Sequence, residues 1–238
     1  MHPIPTLVFA LLVLCPPAAA AGEAPSLPQR HTPTLSLLTG FTKDPMGPMT
    51  LPVWLRGLGA RFDAAALARE AKAAGVSRLL FRVKWLDGLV LHDTKTTGFT
   101  AGRDFLREVA AACAKEGLPM EIGASTNVDG NAAFRPLAAR DARGWFLLFS
   151  EDWPFERQSF HTPYRKAAID QTIERLTAYG KIAALRFGAL GEPLAARGPA
   201  VTEAYRKLLG GDLAKATPAE LEQFGAETTA SFLTEVRT

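Results

Sequence analysis

The stretch from Ala64 to Gly88, AAALAREAKAAGVSRLLFRVKWLDG, decides how this chain reads. Asp63, just ahead of it, is a good helix N-cap, and Ala64 to Ala74 is built from strong helix formers that stop at Gly75. Arg78 to Val83 (RLLFRV) is short, apolar and strand-like. A polar segment then follows, KWLDGLVLHDTKT from Lys84 to Thr96. Helix, glycine, short strand and polar loop make one unit of a parallel α/β fold.

The unit recurs along the chain. Arg103-Asp104 opens a helix with Phe105, Val109, Ala112 and Cys113 on its apolar stripe, Gly117 ends it, and Pro119 to Ala124 is the next strand. Tyr164 to Ala178 reads as a third helix with Ala168, Ile169, Thr172, Ile173 and Leu176 on one face. Tyr179-Gly180 stops it before a strand at Ile182 to Phe187. Thr34 to Thr39 and Trp145 to Phe149 (WFLLF) are further strand candidates, and Gly40 to Gly59 reads as a long loop. Two C-terminal helices are expected, Val201 to Leu209 and Pro218 to Val236, with proline in the first turn of the second. The expected fold is a TIM-barrel-like (β/α) parallel barrel in one domain over residues 34–238. A complete barrel needs eight strands and about 250 residues, so this one is expected to be reduced or incomplete.

The N-terminus reads as something other than fold. Leu7 to Cys15 (LVFALLVLC) is an unbroken apolar run, followed by Pro16-Pro17 and the alanines Ala18 to Ala21. That is the layout of a secretory signal peptide, residues 1–21, too short to span a membrane. Residues 22–33 (GEAPSLPQRHTP) are a Pro-rich linker. The expected location is therefore secreted or periplasmic, with no stable membrane span once the signal is cleaved. Cys113 is then the one remaining cysteine, so no intrachain disulfide supports the fold.

Composition narrows the function classes. The net charge is +3, and no Lys/Arg cluster is interleaved with aromatics, so nucleic-acid binding has no support. The sequence lacks H-x-x-x-H, H-E-x-x-H and any Cys/His cluster, which leaves metal and other cofactors without a motif. It also lacks G-x-S-x-G, a P-loop, and a G-x-G-x-x-G after a strand. In parallel α/β folds ligands bind at the C-terminal ends of strands. Polar residues collect there: Lys84 and Asp87, Ser125 and Asn127, Arg186 and Glu192.

Two stretches resemble the α-L-fucosidases of glycoside hydrolase family 29. From Phe62 to Ser125 the chain follows a family pattern in which a helix W-x-x-x-A-K-x-A-G-A precedes a strand ending in K-H-H-D-G-F. Then come W-D-S-K-x-T and x-R-D-x-V-x-E-L. The chain has AREAKAAGVSRLLFRVKWLDGLVLHDTKTTGF and AGRDFLREVAAACAKEGLPMEIGAS. From Tyr164, YRKAAIDQTIERLTAYGKIAALRFG is similar to Y-x-x-x-Q-x-x-E-L-x-x-Y-G-x-x-x-x-x-W-F-D-G.

The resemblance implies a TIM-barrel catalytic domain, retaining hydrolysis of a terminal α-L-fucoside, a fucosylated glycan as partner and no cofactor. Residue by residue, the family keeps two sugar-holding histidines where this chain has Trp85 and Leu86, while Lys84, Asp87 and Gly88 match. The family's aspartate nucleophile falls on Gly188. Retaining hydrolysis needs two carboxyls about 5–5.5 Å apart, and Glu192, four residues on, is the nearest replacement. Glu192 is thus the leading catalytic candidate, with Asp87, Asp93, Glu151 and Asp152 as the other carboxylates on expected strand-end loops. The rival expectations are a relative that binds sugar without turning it over, and a scaffold or assembly partner.

Each candidate also has a plainer reading. Asp87 with Gly88 is either a ligand-facing carboxylate or a turn. Lys84 either points into a site or snorkels away from it. Trp85 either stacks on a pyranose or caps the sheet end. Glu151-Asp152-Trp153 places two acids beside an indole, as a carbohydrate site does, but acids at a helix N-terminus look the same. Arg186 sits at the end of the last strand beside the empty nucleophile position. His92 is expected to be an exposed loop residue.

Overall fold

A computed structural model describes residues 34–37, 59–97, 99–150 and 154–237. The signal, the linker, most of the Gly40–Gly59 loop and the Glu151-Asp152-Trp153 acids lie outside the described residues. Four strands form one parallel sheet in the order β1-β2-β3-β4: β1 Thr34–Leu37, β2 Arg78–Lys84, β3 Met120–Ser125 and β4 Ala184–Gly188. Helices α1 (Ala64–Ala73), α2 (Phe105–Lys115) and α3 (Tyr164–Ala178) supply the crossovers. Helices α4 (Pro199–Leu209) and α5 (Pro218–Arg237) follow the last strand. The fold class is α/β with a small parallel sheet, open between its edge strands β1 and β4 among the described residues.

Local chemistry explains where the helices start. Asp63 accepts a hydrogen bond from the Ala66 amide at 2.9 Å and Asp104 one from Arg107 at 2.9 Å, each satisfying an amide that the first turn leaves unpaired. Alternation along β2 then sorts the side chains. Leu79, Phe81 and Val83 pack with Ile122 and Ala124 of β3 against Ala68, Ala71, Leu106, Val109 and Cys113 of α1 and α2. A second cluster, Phe160, Tyr164, Ala168, Ile169 and Phe232, ties α3 to α5, with the Phe160 and Phe232 rings stacked at 4.5 Å.

Three expectations fail. Trp145–Phe149 is not a strand: it makes only isolated antiparallel bridges, Arg140 with Phe146 and Leu148 with Glu156, and Trp145 is 73% exposed. A short apolar run bounded by turns carries no periodicity that would fix its partner. On α3, Ile173 and Leu176 face solvent, and the inward face carries Gln171 and Arg175 instead. His92 is fully buried, edge-on to Tyr179 at 5.9 Å between ring centres.

Candidate functional site

At the C-terminal end of β2 the ladder slips. Arg82 pairs with Gly123, but Lys84 pairs with Ala124, so two residues of β2 oppose one of β3. This β-bulge turns Lys84 to the helix side, along with Val83. Its ammonium is buried and meets Asp129 at 2.6 Å, the Tyr164 hydroxyl at 3.2 Å and Gln171 Oε1 at 3.1 Å. The Tyr164 hydroxyl also reaches Asp129 at 3.2 Å. Buried Arg175 lies alongside, and burial pushes its guanidinium down to about 10. His92 faces the same cations; burial first, then Arg175 and Lys84, push its imidazole down to about 2. Among the described residues, the gap that Lys84 lines with Gln171 and Arg175 is too small for a water molecule, so this network is an internal brace.

Asp129 was not singled out from the sequence, yet a signal was there. Asp87-Gly88 follows β2 and Asp129-Gly130 follows β3, so the same dipeptide closes both strand ends. The two loops interlock. Asp87 Oδ1 accepts from the Leu89 amide at 2.9 Å, Asp129 Oδ1 from Asn131 at 3.0 Å, and the Gly130 amide donates to the Leu86 carbonyl at 2.8 Å. A Cβ on Gly88, whose φ is +87°, would stand 2.2 Å from Asp129 Oδ1. Asp87 is thus held in a turn, and burial raises its carboxyl above the usual range.

Glu192 lies in the loop after β4 and is buried. Its Oε2 accepts from the Phe160 amide at 2.8 Å, while Oε1 has no hydrogen-bond partner among the described residues. Burial pushes the carboxyl up to about 7, against the pull of the Ser159 side chain and the Phe160 amide. A carboxyl poised there can hold or release a proton near neutrality.

Of the remaining candidates, Trp85 and Arg186 lie on the sheet face opposite α1 and α2. Trp85 is half-buried, with the Arg82 guanidinium 5.2 Å from its ring centre. Arg186 donates through Nε to Glu121 at 2.5 Å, and Arg78 donates to the other oxygen of that carboxylate at 2.6 Å. Gly188, at the position assigned to the family nucleophile, ends β4 opposite Ser125. Structure therefore gathers Trp85 and Arg186 with Arg82, and sends Lys84 and Asp87 into the interlocked loops. Among the described residues no group of three His, Cys, Asp or Glu is placed to hold a metal ion.

With this geometry in view, α-L-fucosidase isoenzyme 2 from Paenibacillus thiaminolyticus matches 75% of this chain and 27% of its own length. The TM-score is 0.63 at 18% identity. The fold is fucosidase-like. Isoenzyme 1 of the same organism matches at TM-score 0.43 and 31% identity, over 54% of this chain and 31% of that one. An α-L-fucosidase from Lactobacillus casei, in complex with its α-L-fucose product, gives 0.44 and 19% over 70% and 49%. The chain thus spans between about a quarter and a half of the length of these fucosidases. No protein-family model matches the sequence, and no curated protein matches it. No helix among the described residues of this fucosidase-like fold is long and apolar enough to cross a membrane.

Proposed function

We propose that this chain is an exported, reduced (β/α)-barrel protein that engages carbohydrate at the C-terminal ends of its strands. The observation that carries the reading is the fucosidase-like fold. Supporting it, the half-buried indole of Trp85 lies at a strand end, where ligands bind in such folds. An aromatic face suits the C–H side of a pyranose, and Arg82 and Arg186 supply donors for hydroxyl or acidic groups. Glu192 is the one acid proposed for catalysis.

Retaining hydrolysis requires a nucleophile as well as an acid. Gly188 offers none, and one oxygen of Glu192 is engaged by a backbone amide. The expected behaviour is glycan binding with very slow or no hydrolysis of an activated aryl α-L-fucoside. The mature chain is to be screened on a glycan array that includes fucosylated glycans, and assayed with the aryl fucoside. Retention of a glycan without turnover supports the reading. Robust turnover abolished by Glu192→Gln would replace it with a working glycosidase, and retention of no glycan would overturn it. Export is tested separately: N-terminal sequencing of secreted or periplasmic protein should find cleavage near Ala20 or Ala21.

A further inference from the structure

We propose that Trp145, on a tight turn in the loop joining β3 to α3, is a stacking platform for a pyranose of a neutral oligosaccharide, with Asp141 and Arg143 hydrogen-bonding its hydroxyls. The proposal rests on the carbohydrate reading above and adds a second aromatic contact besides Trp85, for a longer glycan.

The turn holds this indole out of the protein. It is closed by the antiparallel bridge between Arg140 and Phe146, and Asp141 organises it. The Asp141 amide donates to the Trp145 carbonyl at 2.9 Å, and its Oδ1 accepts from the Arg143 and Trp145 amides at 2.8 and 2.9 Å. Gly144, at a φ of +82°, reverses the chain, and its carbonyl accepts from Arg140 Nη1 at 2.8 Å. Below the turn the Phe146 ring lies 3.9 Å from the Arg140 guanidinium, and Leu147 packs on the cluster of Ala139, Val201, Tyr205 and Phe224. Trp145 is left 73% exposed on a backbone that is already fixed, so a ligand meets it without ordering a loop.

Placement and neighbours favour a sugar. The loop leaves the C-terminal end of β3, as the one with Trp85 leaves that of β2, and ligands bind at such ends in parallel α/β folds. An indole face covers the apolar C–H side of a pyranose, while the hydroxyls at its edge need donors and acceptors. Asp141 spends Oδ1 on the backbone, which leaves Oδ2 as an acceptor, and exposed Arg143 is a donor. A lipid surface is a poorer occupant, because the Asp141 carboxylate would leave water together with the indole. A protein partner needs about 800 Å² of each surface, and Ala142 and Gly144 offer it little to seal around the ring.

The test is calorimetric titration of the whole mature chain with a neutral fucosylated pentasaccharide. Trp145→Ala should weaken binding at least about ten-fold, and Trp145→Phe, which keeps a ring, should weaken it less. Arg143→Ala should weaken it about five-fold. Ile173→Ala, at an exposed apolar position on α3, is the control and should change nothing. The pentasaccharide should also protect Trp145 from oxidation by N-bromosuccinimide, mapped by peptide mass spectrometry. Unchanged affinity in Trp145→Ala, an equal loss in Ile173→Ala, or oxidation of Trp145 undiminished by saturating pentasaccharide overturns this inference while leaving the carbohydrate reading in place. Sedimentation with phosphatidylglycerol vesicles that Trp145→Ala abolishes, with pentasaccharide affinity untouched, would assign the turn to lipid and overturn it too. A pentasaccharide that the unaltered chain does not bind also overturns the inference, and an empty glycan array beside it overturns both readings.

Discussion

Lys84 and Asp129 meet at 2.6 Å with side chains only 2% and 1% exposed, joining the end of β2 to the loop after β3. Removing one partner strands the other charge in the interior, which costs about 3–5 kcal/mol. Asp129→Ala should therefore lower stability by that order in urea unfolding. Lys84→Met combined with Asp129→Leu should recover part of the loss, since a buried pair exchanged for apolar groups is often neutral. A loss below about 1 kcal/mol for Asp129→Ala, the level of an exposed pair, would show that the pair is solvated.

Gly88 is the tightest point between the two Asp-Gly loops. Gly88→Ala meets both a positive φ and a Cβ 2.2 Å from Asp129 Oδ1, so a loss of about 3 kcal/mol or more is expected. Gly102→Ala is the control: its φ is +69° but nothing lies within 4 Å, so only the backbone penalty of about 1–2 kcal/mol applies. Equal losses in the two variants would mean that the clash at Gly88 relaxes away.

Glu192 makes stability depend on pH. Its folded carboxyl sits at about 7 against an ordinary 4.5, so between those values the folded state holds more protons than the unfolded one. Stability then falls as pH rises through that window, by up to roughly 3 kcal/mol. Glu192→Gln should flatten the slope and be the more stable protein at pH of about 8. A slope unchanged by the substitution would place its source elsewhere.

His92, with its imidazole held down to about 2, should stay neutral over the whole range in which histidine ordinarily titrates. NMR of its ring protons should show no titration step near the ordinary value of about 6.5. A step there would mean that the pocket beside Tyr179 opens to water.

The units of this fold are legible in the chain because each is local. Asp63 and Asp104 cap, Gly75 and Gly117 stop, and the apolar runs between them have the right length for strands. Helix starts rest on contacts three residues apart, which sequence spacing shows directly. The candidate site was legible only in part. Sequence places Arg186, Trp85 and Glu192 at strand ends, but nothing in it sets Arg82 apart from the rest of its strand. Its exposure on the face beside Trp85 depends on glycines in two other strands.

Sequence by itself determined the repeating helix–strand units and the parallel class. Only tertiary structure decided which polar residues turn inward. One bulge at the end of β2 moved Lys84 beneath α3, and α3 answered with Gln171 and Arg175 where a helical stripe would place apolar side chains. A bulge is a mismatch between two strands, and a buried ion pair joins residues far apart in sequence. Neither leaves a periodicity in either strand alone, so both come into view only when the strands are laid side by side.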